Sequence, residues 1–174
     1  MALVIAGCAD PALTGAEYRD LVADRAAAYA EEAEELRSAH LFELDRAVDD
    51  LVREKEGADL EAAAIVEAGR SSASLFARTA DAVDRYATDL SAVRPPEELA
   101  AAHLEYVEAL QLSITGIGAT VEALATATSF DAIDEAIGGS TFNDTQFRVD
   151  AACRRLETAM SEQGLTADLR CREG

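Results

Sequence analysis

Apolar and small residues recur along most of this chain in steps of three, four and seven, the spacing that lines up side chains on one face of a helix. In the first stretch they fall at Tyr18, Val22, Tyr29, Ala33, Leu36, Leu44, Val48 and Leu51. Just before them, Thr14-Gly15-Ala16-Glu17 fits a capping box, in which the Thr hydroxyl and the Glu carboxylate each satisfy a free backbone N–H. The pattern predicts a first helix from Thr14 to Glu56, with Gly57 as its left-handed stop. Acidic pairs such as Glu31-Glu32 and Glu34-Glu35 lie largely off the apolar face, as a solvated surface requires.

Asp59 can cap a second helix whose inner side runs through Leu60, Ala64, Ala68, Ser72, Leu75, Thr79, Val83, Tyr86, Leu90 and Val93. Arg94-Pro95-Pro96 ends it, because a residue before proline is pushed out of helical geometry. The second proline suits the first turn of a third helix. There the stripe Leu99, His103, Tyr106, Leu110, Ser113 or Ile114, Ile117, Val121, Leu124 approaches a strict three-four repeat, which favours near-parallel bundle packing. Thr128 and Asp131 mark a short helix with Phe130, Ile133 and Ile137 on one side and Gly138-Gly139 as its stop. Asn143 with Gln146 opens the last helix, whose face is Val149, Cys153, Leu156 and Met160, and Gly164 ends it. No internal repeat or long linker interrupts this series.

Composition agrees with the pattern. Apolar residues are 49% of the 174, yet aromatics are only 5% and much of the rest is Ala, the strongest helix former. The expected fold is therefore all-α: one antiparallel helical bundle of three long helices plus a short helix and a C-terminal helix.

Charge narrows the partners. A formal −19, from 34 acidic against 15 basic residues with Lys55 the only lysine, repels nucleic-acid phosphates and anionic lipid headgroups. Arg far above Lys suggests a GC-rich genome or adaptation to salt. No segment has the 18 or so consecutive apolar residues of a spanning helix.

The N-terminus reads differently from everything after it. Leu3-Val4-Ile5-Ala6-Gly7-Cys8 sets branched apolar residues, then two small ones, ahead of a cysteine. Through Ile5-Ala6-Gly7-Cys8 the sequence resembles bacterial lipoproteins, in which a signal peptide is cut before the cysteine and the cysteine takes lipid. No Lys or Arg precedes Arg19, so the charged start that an export signal carries is expected upstream of Met1. The resemblance implies the end of a signal peptide over 1–7, a lipidated Cys8 with a tether over 8–13, and a single bundle domain over 14–174. It also implies a place at the extracytoplasmic face of the cell membrane, held by lipid. Beyond that point the chain looks like uncharacterised helical lipoproteins of GC-rich bacteria.

Cys153 and Cys171 fit an exported protein. From Cys153 to Gly164 a helix descends about 16 Å at roughly 1.5 Å per residue. A tail from Leu165 to Cys171 climbs back about 23 Å at roughly 3.3 Å per residue. The sulfurs can therefore meet in a structural disulfide. Neither cysteine has a CxxC partner or a neighbouring His, which disfavours thiol catalysis and zinc.

The two histidines, His40 and His103, lie on or beside apolar stripes and about 20 Å apart along an up-down-up bundle at roughly 1.5 Å per residue, too far to share a ligand. Near His40's level, small and hydroxyl residues face each other on the second and third helices. They suggest a small polar cavity walled by His40, Ser72 and Ser113, with Thr115 or Ser74 at its edge; the competing account is that small residues only let two helices approach. His40-Leu41-Phe42-Glu43 also matches the HxxE motif of imelysin-like iron-uptake proteins, a resemblance that covers His40 and Glu43 and implies a metal at that pair.

There is no Gly-rich phosphate loop, GxSxG, HExxH or di-iron Glu-x-x-His pair. The expectation is a non-enzymatic binding or accessory module without cofactor, anchored to the membrane, with a small molecule or protein as partner. The alternatives are a metal-handling protein using His40 and Glu43, and a cytosolic helical interaction protein in which the Cys8 match is accidental.

Overall fold

The structure, a computed structural model, describes residues 13–171, apart from the side chain of Ser140. Cys8 and the apolar stretch before it lie outside the described residues. The fold is all-α: α1 (Gly15–Glu54), α2 (Gly57–Ser91), α3 (Ala100–Ala125), α4 (Phe130–Gly138) and α5 (Ser140–Glu162), with no strand among the described residues.

Local chemistry sets most boundaries. At the start of α1 the capping box forms as read: the Glu17 N–H donates to Thr14 Oγ1, and the Thr14 N–H donates to Glu17 Oε2 at 2.9 Å. Gly57 takes the left-handed conformation, φ 59°, that lets a two-residue connection reverse the chain. Two details differ from the reading of the sequence. α1 stops at Glu54, and α2 starts at Gly57 behind Glu56 with no side-chain cap, so Asp59 sits inside the first turn. Between α2 and α3 the prolines stay extended, and Pro96 leads into a single 3-10 turn, Glu97–Leu99, before α3 begins.

Farther on, the Ser129 hydroxyl, rather than Thr128 or Asp131, caps α4 by accepting from the Ala132 N–H at 3.1 Å. α5 starts at Ser140, three residues ahead of Asn143, whose amide instead donates to the Gly138 carbonyl at 2.8 Å. On α4 only Ile133 is buried, while Phe130 and Ile137 face solvent.

The helices follow one another around a curve: α1 packs on α2, α2 on α3, and α3 on α5, with α4 covering one end of α3. The main core gathers Tyr18, Val22, Leu90, Leu99, Ile117, Leu156 and Met160, all essentially sealed from water. A smaller cluster around Leu124 and Ile133 sits under α4. Three ion pairs, Arg25–Asp89, Glu32–Arg85 and Glu43–Arg78, run up the outer seam between α1 and α2. Being exposed, each contributes at most about 1 kcal/mol and serves mainly to fix register.

Small residues set the helix spacing. A Cβ at Gly69 would sit 2.8 Å from the Leu124 carbonyl oxygen, and one at Gly116 would meet Thr145 at 2.6 Å. α2 therefore touches α3 at Gly69, and α3 touches α5 at Gly116.

One end of the α1–α2 pair extends past the rest of the bundle, touching it at its base through Ile65, Ala68 and the Glu43–Arg78 pair. The last buried residue of α1 is His40 and the first of α2 is Gly69. Between them, 41–54 and 57–68 form a two-helix arm about 20 Å long at 1.5 Å per residue. Leu44, Ala47, Leu51, Leu60, Ala63 and Ala64, all half-buried, mark its seam. Val48, expected on the inner face, is exposed.

Candidate functional site

α1 and α5 end the curve of helices without close backbone approach; they share the main core at one end, and beyond it a cleft of about 300 Å³ opens between them. Ala26, Tyr29, Ala30 and Ala33 of α1 form one wall. Val149 and Cys153 of α5 form the other, and Val83, Tyr106, Leu110 and Ser113 make the floor. Small alanines on α1 keep the wall thin. The apolar stripe that buries Tyr18 and Val22 lower down here faces open space.

The tail closes one end. Cys153 and Cys171 are joined by a disulfide with Cα atoms 5.8 Å apart, which holds 165–171 back against α5 as the helix and strand lengths predict. Leu169 is thereby buried, its N–H donating to Glu157 Oε1 at 2.8 Å. Arg170 adopts a left-handed φ of 57°, with its N–H on Asp168 Oδ1 at 2.9 Å, turning the chain so that Cys171 faces Cys153.

A cluster of rings joins the α1 wall to the floor. Tyr29 stacks on Tyr86 with centroids 4.9 Å apart, and the Tyr86 and Tyr106 hydroxyls share a hydrogen bond of 3.3 Å. Burial pushes the Tyr86 phenol up to about 12 and the Tyr106 phenol well above its ordinary value, where the nearby Tyr86 also raises it. Both are neutral hydrogen-bonding groups at any physiological pH. The Ser113 hydroxyl donates to the Leu110 carbonyl at 2.7 Å.

The buried polar groups of the cleft are thus engaged with one another, and its two sulfurs are bonded together. Charge sits at the mouth: Glu34 paired with Arg37 on α1, Asp150 on α5, and Arg170 paired with Asp168 on the tail. The lining is mixed, with alanine, valine and leucine surface beside Ser113, Gln146 and the charged groups of the mouth, and such a cleft suits a ligand that has both apolar and polar parts.

The cavity expected around His40, Ser72, Ser113 and Thr115 is not assembled. Contacts between Gly69 and Leu124, and between Tyr86 and Tyr106, fix the register of α2 against α3. Ser113 consequently stands level with Ala80, roughly 12 Å from Ser72 along the helix at 1.5 Å per residue. Thr115 points to solvent, Ser72 and Ser74 do not line the cleft, and Ser113 alone of these faces it. His40 is buried beside Ser71, whose Oγ is 3.1 Å from its Nδ1. The small residues at this level instead let α2 approach α3.

His40 and Glu43 have different partners, although the Glu43 charge still reaches the His40 ring. Glu43 is exposed and pairs with Arg78 at 3.3 Å, while burial first, and then the Arg78 charge, hold the His40 pKa below its ordinary value. The guanidinium already occupies the place of a cation there. Among the described residues, no three His, Cys, Asp or Glu side chains gather as a metal would need. His103 lies in the opposite half of the bundle with its own partners, Tyr18 and the Leu90 carbonyl.

Tyr29, Tyr106, Asp150 and Arg37 were not singled out in the sequence as site residues. Both tyrosines stand on the apolar stripes, but nothing in a stripe says that two helices will stay apart. No helix of the described residues is long and apolar enough to cross a membrane. No family model matches the chain, and neither a curated protein nor a solved structure is significantly similar to it.

Proposed function

We propose that this chain is an exported, non-enzymatic binding module, anchored to the outer face of a bacterial membrane by lipid on Cys8, with the cleft between α1 and α5 as its ligand site. The observation that carries the reading is the Cys153–Cys171 disulfide. Structural disulfides persist in oxidising compartments outside the cytosol, which is where a lipidated Cys8 would place the chain. The same bridge builds the end wall of the cleft, so the shape of the site relies on the oxidising compartment in which the bond persists.

The ligand that fits is compact, with an apolar body for the Ala, Val and Leu surfaces and polar atoms reaching Asp150 or the Glu34–Arg37 pair at the mouth. The interior hydroxyls are already bonded, so they add little selectivity for a strongly polar ligand.

Labelling cells with an alkyne fatty acid, followed by fractionation, tests the reading. The wild-type chain should take label and sediment with membranes, and Cys8→Ser should do neither. A wild-type chain that stays unlabelled and reduced in the cytosol would overturn it.

A further inference from the structure

The arm of 41–54 and 57–68 carries apolar side chains that its own seam does not use. Leu41, Phe42, Val48, Val52 and Val66 are each between 43% and 71% exposed, in a segment with no buried residue. Leu41, Val48 and Val52 are spaced by seven and then four residues, which puts them on one line along α1 beside the seam. The line spans about 16 Å at 1.5 Å per residue, three turns of a helix. An apolar line of that length, flanked by charge, can pair with the apolar stripe of another amphipathic helix.

Charge identifies the occupant. Residues 41–68 contain nine acidic and three basic side chains, a net −6. Arg53 is already held by Asp49 and Asp50. Asp45 lies on the apolar line itself, between Leu41 and Val48. A second copy of the chain would bring −6 against −6, and anionic lipid or nucleic acid would be repelled likewise. A helix with a basic flank would match both the line and its border.

We propose that the arm is a docking surface for a basic amphipathic helix of a partner protein. This does not rest on the cleft or on Cys8. The test measures fluorescence anisotropy of a labelled 21-residue helical peptide of Leu and Lys at heptad spacing, with a Leu and Glu peptide as its counterpart. The folded chain is titrated at physiological salt.

The Leu/Lys peptide should bind and the Leu/Glu peptide should not. Leu41→Ser, Val48→Ser and Val52→Ser together should weaken binding at least tenfold. Leu41→Ala with Val52→Ala, which trims the same line while keeping strong helix formers, serves as a second variant if the first loses helicity, and should weaken binding severalfold. Equal binding by wild type and a folded variant would mean charge attraction alone and would overturn the proposal. So would no binding of the Leu/Lys peptide, or sedimentation showing a dimer that these substitutions abolish.

Discussion

The Tyr18 hydroxyl lies 2.8 Å from Nδ1 of His103 and joins the first helix to the third through the centre of the core. The Leu90 backbone also interacts with this ring, and burial keeps the imidazole neutral, so Nδ1 can accept from the Tyr18 hydroxyl. Groups from three helices thus meet at one ring. Tyr18→Phe keeps the ring but leaves Nδ1 buried without a partner. The expected loss is about 1–3 kcal/mol, read as a lower urea midpoint at unchanged slope.

The same burial gives stability a two-sided pH profile. His103 and His40 are held below their ordinary 6.5, chiefly by loss of water. The unfolded chain therefore takes up protons that the folded chain refuses. Stability is complete above pH 6.5 and should fall as pH drops through the folded values, by at most about 1.4 kcal/mol per pH unit for each histidine.

On the alkaline side the sign reverses, because Tyr18, Tyr86 and Tyr106 are raised above 10.0 by burial. Stability present below pH 10.0 should be lost progressively towards 12, as the unfolded chain gives up protons that the folded chain keeps. Urea midpoints across pH 4 to 11, with His103→Gln removing part of the acid limb, would check both slopes.

Two glycines separate close packing from flexibility. At Gly69 an added methyl would meet the Leu124 backbone oxygen, which no rotamer can move, so Gly69→Ala should cost about 1–3 kcal/mol by overpacking, less its gain in helix propensity. At Gly118 a methyl meets nothing within 4 Å, and Gly118→Ala should stabilise by about 0.5–1 kcal/mol. Melting temperatures should move in opposite directions, by roughly 2–4 °C per kcal/mol for a chain of this size.

Breaking the Cys153–Cys171 bridge releases a tail that depends on it. The bond closes a sequence separation of 18 residues, and its loss should cost about 3 kcal/mol. Cys153→Ser with Cys171→Ser should lower the melting temperature to that of reduced wild type. Hydrogen exchange should show the Leu169 amide, bonded to Glu157, losing its protection first.

Features set by nearby residues were legible in the sequence. The Thr14–Glu17 cap depends on four residues, and the disulfide on comparing helix rise with the reach of an extended tail. What could not be read depends on how separate helices meet. The Gly69–Leu124 and Tyr86–Tyr106 contacts set α3 against α2, and this register carries Ser113 away from His40. Val48 keeps helical spacing but lies where neither α3 nor α5 reaches it. The cleft exists because α1 and α5 do not approach closely at the level of Tyr29 and Val149, and hydrophobic periodicity records only which face is apolar.

The arm carries a consequence of another kind. Because the outer part of the arm, 45–54 and 57–64, holds no fully buried residue and does not touch the Leu124 cluster, deleting seven residues from each of its helices would shorten it by about 10 Å at 1.5 Å per residue while leaving Ile65 and Ala68 on that cluster and the His40–Ser71 contact in place. The reach of the molecule is therefore set independently of its body. It can lengthen or shorten by whole turns like a spacer, without reference to what the bundle holds.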